Sequence, residues 1–114
     1  MKRIYVAGPI TADNPKSLFT NLRIGIKAAI HLLELGYAPF CPFLDYQYFL
    51  LSGELSIEDL QNYSLRWLDV SDGILILPGY NRSKGTLAEL AHATALKIPI
   101  FHSFEQLTSY GWKK

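Results

Sequence analysis

The chain alternates between short unbroken apolar runs and longer segments in which apolar residues recur every three or four positions. The first run, Arg3 to Ala7, is β-rich and halted by Gly8-Pro9, which predicts a buried strand. Thr11 to Lys16, containing Asp13-Asn14-Pro15, is polar and reads as a loop. Ser17 stands where it can cap a long helix reaching about Leu35. Leu18, Leu22, Ile26, Ala29 and Leu33 supply its stripe, and Gly36 its stop. Tyr37 to Cys41 predicts a second strand, ended by Pro42. The aromatic stretch from Phe43 to Gly53 has no clean period and reads as a loop with one helical turn. Ser56 and Asp59 make a capping-box-like start for a helix with Leu60, Leu65, Trp67 and Leu68, ending near Ser71; Trp67 is expected to face the sheet. Gly73 to Leu77 is the clearest strand, continuous in the way of strands covered on both faces. Ser83 caps a helix to about Leu96, Pro99 to Phe101 forms a fourth strand, and a short helix follows from Phe104 to about Tyr110. Trp112 falls in a tail read as loosely ordered.

Strands that alternate with helices predict an α/β fold with a mainly parallel sheet of four or five strands and right-handed crossovers. At 114 residues the chain reads as one domain, 1–114, without repeats or linkers. Ligands of such sheets bind beyond the carboxyl ends of the strands. The loops after the first and third strands are therefore where chemistry is expected.

Composition narrows the classes further. Eleven basic and ten acidic residues give a net charge of +1, with no clustered basic face of the kind a nucleic-acid binder needs. Cys41 stands alone in an apolar run, which excludes an internal disulfide and reads as a buried thiol in a reducing compartment. The apolar run behind Met1 is too short for a signal core or a membrane span. The expectation is a cytoplasmic protein with no membrane partner. His31, His92 and His102 show no metal-ligand spacing, and neither a metal nor a cofactor is expected.

Two loops carry candidate chemistry. In Ala7-Gly8-Pro9-Ile10-Thr11 the glycine lets the backbone approach a ligand, though Gly-Pro after a strand is also an ordinary turn. In Ser83-Lys84-Gly85-Thr86-Leu87-Ala88-Glu89 the serine and the free N–H groups of a helix start suit an anion, with Gly85 keeping the approach open. Glu89, one and a half turns in, can reach a cleft above the first strand; an acid that merely complements the helix dipole also fits. Arg82 and Lys84 flank this region as charge donors or as solvated loop residues.

Ile4-Tyr5-Val6-Ala7-Gly8-Pro9-Ile10, the run from Asp72 to Tyr80, and Ser83 to Glu89 together resemble the nucleoside 2-deoxyribosyltransferase superfamily, which includes deoxynucleoside monophosphate N-glycosidases. The resemblance implies a Rossmann-like (flavodoxin-like) three-layer sandwich that cleaves or exchanges the N-glycosidic bond of a nucleoside or nucleotide. It implies Glu89 as nucleophile, Ser83 at a 5′-phosphate, Tyr5 beside the sugar, and Gly8, Pro9 and Ile10 lining the pocket. It also implies a homodimer or larger homo-oligomer. At the position where the superfamily carries a second acid, this chain has Ser64, whose hydroxyl can bind a sugar or base but is no acid at neutral pH. Asp45, in the aromatic stretch, is a substitute donor, whereas Asp69 lies on a different helical face from Ser64. Ser64 thereby also supports a second reading, a nucleotide-binding module without turnover. Pro78-Gly79 and Gly85 to Glu89 look like part of the phosphoribohydrolase motif, with a longer insertion between them. Asp72 reads as a structural acid, and Phe43, Tyr46, Tyr48 and Phe49 as base-stacking, core or interface aromatics.

Overall fold

The computed structural model describes residues 1–112. Strands β1 (Arg3–Ala7), β2 (Ala38–Phe40), β3 (Gly73–Ile76) and β4 (Ile100–Phe101) form one parallel sheet in the order β2-β1-β3-β4. Tyr5 of β1 pairs with Phe40 on one side and Ile74 on the other. The helices are α1 (Pro15–Glu34), α2 (Pro42–Asp45), α3 (Ile57–Leu68), α4 (Lys84–Ala95) and α5 (Phe104–Thr108), with 3₁₀ turns at Tyr46–Leu50 and Tyr80–Arg82. Among the described residues the sheet has four strands, the lower of the two numbers the sequence allows.

Alternation along each strand sorts the side chains into two cores. Ile4, Val6, Leu75, Leu77 and Phe101 pack with Ala28, Ala29 and Leu32 of α1, Phe43 of α2 and Leu107 of α5. Tyr5, Ala7, Ile74 and Ile76 pack on the opposite face with Leu68 of α3 and Ala93 of α4. Helices therefore cover both faces, and the sandwich has three layers. This explains why all four residues of β3 are buried and apolar.

The helix boundaries follow their caps. α1 starts earlier than Ser17 because Pro15, with its fixed φ and no N–H, suits the first turn. Asn14 is the cap, its Oδ1 accepting the Ser17 N–H at 2.9 Å. Leu33 is 58% exposed, since the buried side of α1 runs through Gly25, Ala28, Ala29 and Leu32. At α3 both capping-box bonds form: Ser56 Oγ accepts from the Asp59 N–H (3.0 Å) and Asp59 Oδ2 from the Ser56 N–H (2.9 Å). Ser64 and Leu68 take the inward positions of α3. Trp67 is consequently half-exposed and meets the sheet only at its edge strand, stacking on Phe40 of β2 at 5.7 Å. Trp112 is also better held than the sequence suggests, packed on Tyr110 and Phe101 with the Lys2 ammonium over its ring.

Asp72 closes the amino-terminal end of the central β1–β3 pair, its Oδ2 accepting the Arg3 N–H at 2.8 Å. Asp69 is engaged by His92 and by Arg66. Cys41 is buried and free, and burial pushes its thiol up. Among the described residues no helix is long and apolar enough to cross a membrane.

The chain leaves β1 for β2 on one side and then crosses to β3 on the other. That reversal opens a crevice above the carboxyl ends of β1 and β3, where open α/β sheets bind ligands.

Candidate functional site

A cleft occupies this crevice, and four segments wall it. Gly8, Ile10 and Thr11 come from the loop after β1, and Pro42, Asp45, Tyr46 and Phe49 from the stretch after β2. α3 contributes Ile57, Leu60, Gln61 and Ser64; the start of α4 contributes Ser83, Gly85, Thr86 and Glu89. The two loops that the sequence singles out thus meet in one place, as parallel strands feeding successive helices require.

Glu89 lines this cleft, and Tyr5 lies behind it, bonded to Glu89 but outside the cleft wall. Tyr5 is wholly buried in the middle strand, and its hydroxyl donates to Glu89 Oε2. Loss of water around Glu89 pushes its carboxyl up to about 7, against the pull of the Tyr5 hydrogen bond. The Tyr5 phenol is pushed well above its ordinary value, first by burial and then by the charge of Glu89 and the bond to it. The Ser64 hydroxyl opposes that rise, while the charge of Asp45 adds to it. The phenol therefore keeps its proton and remains a donor to the carboxylate. Near neutral pH, Glu89 is poised between its two protonation states.

Ser83 stands at the mouth of α4. Its Oγ accepts from the Thr86 N–H (3.2 Å) and from Thr86 Oγ1 (2.9 Å). With two bonds accepted, its own proton is the group left to donate outward. Thr86 is 1% exposed and fixes this arrangement. A Cβ on Gly85 would lie 2.9 Å from Gln61 Nε2, so the glycine makes room for that amide as well as for the cleft. At Gly8 a Cβ would lie 2.9 Å from Leu77 Cβ; close packing of the loop on β3 thus requires glycine here regardless of any ligand.

Other candidates are distributed less tidily. Ile10 and Asp45 line the cleft. Pro9 does not: its ring sits against Gly79, and it lines an adjoining groove with Asn14, Ser17 and Arg82. Arg82 and Lys84 are exposed and take no part in the cleft wall. Phe43 belongs to the core and Tyr48 is half-exposed, whereas Tyr46 and Phe49 line the cleft with their rings edge to face at 5.0 Å. Thr86 and Gln61 are the contributors that sequence reasoning passed over. Both were within its reach, since Thr86 lies at the N3 position behind Ser83 and Gln61 lies one turn from Ser64 on the same helical face. Among the described residues no group of three or more His, Cys, Asp or Glu side chains is arranged to hold a metal ion.

Residues 2–102 match the family described as "Domain of unknown function (DUF4406)". The chain belongs to DUF4406. No curated protein matches this DUF4406 chain in sequence. Among solved structures it is similar to a 2-deoxyribosyltransferase from the psychrotolerant bacterium Bacillus psychrosaccharolyticus. The TM-score is 0.67 at 20% identity, over 96% of this chain and 93% of the other. The DUF4406 chain therefore has the Rossmann-like fold of the deoxyribosyltransferases, as its motifs imply.

Proposed function

We propose that the protein cleaves or transfers the N-glycosidic bond of a nucleoside or nucleoside 5′-monophosphate, with Glu89 as nucleophile. The observation that carries this reading is the Glu89 carboxylate, set in a partly apolar cleft at the switch point and held by a buried tyrosine hydroxyl. Glycosidic cleavage passes through an oxocarbenium-like state, which a carboxylate beside the anomeric carbon stabilises or captures as an ester. Tyr5 orients the attacking oxygen. The free Ser83 proton and the first-turn N–H groups of α4 suit a phosphate or a sugar hydroxyl, and Gly8 and Ile10 close that side. Tyr46 and Phe49 offer faces for a base. The structural neighbour's description as a 2-deoxyribosyltransferase for nucleoside synthesis supports the same chemistry.

The test is chromatographic detection of free base from a panel of nucleosides and 5′-monophosphates. Wild type is expected to release base and Glu89→Ala to lose at least about a thousandfold in rate. Equal rates for the two would remove Glu89 from the mechanism. Ser64, buried on the cleft wall with no acidic proton, favours a second reading, a nucleotide-binding module without turnover. Calorimetry showing micromolar binding with no product would select it.

The reading extends to setting. A single buried thiol suits a reducing compartment, and we place the protein in the cytoplasm. Leu50 and Leu51, 80% and 98% exposed beside the cleft wall, support a homodimer or larger assembly, which light scattering checks.

A further inference from the structure

A base that departs from C1′ carries away the electron pair of the broken C–N bond, and at neutral pH that pair needs a proton. The polar groups around the cleft are mostly hydroxyls and an amide, which do not give up a proton there. Its two carboxyls are Glu89 and Asp45. Glu89 accepts the Tyr5 hydrogen bond, which favours its ionised form, the form that attacks. Asp45 ends α2 on the wall that follows β2. Its Oδ2 is enclosed and has no hydrogen-bond partner. A carboxylate oxygen shut away from water with no donor disfavours the anion and favours the neutral acid.

Building on the proposed glycosidic cleavage, we infer that Asp45 is the catalytic acid that protonates the leaving base. Glu89 bonds to C1′ as the C1′–N9 bond of a purine nucleoside breaks. The bond pair moves into the imidazole ring, and the Asp45 proton passes to N7, leaving neutral base, a glycosyl ester on Glu89 and an ionised Asp45. Water then attacks C1′ and gives its proton to Asp45, which restores both carboxyls and releases the sugar. One proton shared between two carboxyls suffices for the cycle. The bound base holds it on Asp45, because an acceptor nitrogen stands there while the Tyr5 donor faces Glu89. Burial also pushes the Asp45 carboxyl above its ordinary value, in keeping with a donor.

The experiment compares 2′-deoxyguanosine with its N7-methyl derivative, each as nucleoside and as 5′-monophosphate, for wild type and Asp45→Asn. The methylated base is already cationic and needs no proton at N7. Asp45→Asn is expected to lose at least about a hundredfold on the unmethylated substrates, with most of that loss recovered on the methylated ones. The methylated substrate also verifies that the variant is folded. An equal loss on both substrates, or no loss on either, would overturn the role of Asp45 while leaving Glu89 in place. No enzymatic release by wild type from any of the four would instead overturn the glycosidase reading itself, and this inference with it.

Discussion

Replacing Glu89 by glutamine separates the energetic cost of the site from its chemistry. The amide keeps the shape, and its carbonyl oxygen can still accept the Tyr5 hydrogen bond, but it carries no charge. In the native protein the Glu89 carboxyl titrates near 7, against an ordinary value of 4.5. Between those values the folded state holds a proton that the unfolded chain has released. Wild-type stability should therefore fall as pH rises, by about 1.4 kcal/mol per pH unit. Below pH 4.5 the contribution is fully favourable, and above 7 it is lost. The ionised carboxylate then costs up to about 3 kcal/mol, an upper bound because the side chain keeps some contact with solvent. Urea unfolding at pH 4, 6 and 8 measures the difference between Glu89→Gln and wild type, in which most other titrations cancel. The variant should match wild type at pH 4 and exceed it by about 3 kcal/mol at pH 8, or roughly 10 °C in melting temperature for a chain this size. A difference independent of pH would mean that the carboxylate is well solvated. The account of a poised nucleophile would then fall.

Three further outcomes follow from the same geometry. Tyr5→Phe removes the donor that keeps Glu89 ionised, so the acid limb of the base-release profile should move to higher pH. The rate should drop roughly tenfold at pH 7; an unmoved limb would refute the coupling. Ser83→Asp keeps an acceptor for the Thr86 N–H and should change stability by less than about 0.5 kcal/mol. It sets a negative charge against the phosphate position, so calorimetry should show weaker binding of a monophosphate with nucleoside affinity retained. Equal loss of both would place the phosphate elsewhere. Gly25→Ala puts a Cβ about 2.2 Å from the Phe43 ring. Overpacking should outweigh the roughly 1 kcal/mol gained in helix propensity, for a net loss of about 2 kcal/mol by urea unfolding; an unchanged midpoint would show that the ring yields freely.

Legibility in the sequence varied with the range of the interaction. β3 and the caps at Ser56 and Ser83 are local signals, and they sit where the pattern puts them. Asn14 displaced Ser17 as a cap because Pro15 supplies the first helical residue, a cue present in the sequence but outweighed by the later serine. The stretch after Pro42 was opaque for a different reason. Its aromatics serve two purposes at once, Phe43 filling the core and Tyr46 and Phe49 walling the cleft, so no single period runs through them. Trp67 faces the sheet as its helix suggests, but only at the edge strand β2, because Ser64 and Leu68 occupy the inward face of α3. The bond from Tyr5 to Glu89 spans 84 positions. No local pattern announces such a pair; only the family likeness of the flanking motifs placed both residues at one sugar. Pro9 shows the reverse limit, since adjacency in sequence to Gly8 and Ile10 did not put its ring in their cleft.

The aromatic rings around β2 have an optical consequence. Trp67 lies on Phe40, and Phe40 in turn lies on Tyr5 at 5.5 Å, whose hydroxyl ends at Glu89. An indole at the solvent boundary is thus two rings removed from Glu89 on the cleft wall, while the other indole, Trp112, packs against Phe101. With Trp112 replaced by phenylalanine, the emission of Trp67 becomes an intrinsic gauge of occupancy, able to register a colourless ligand without any label.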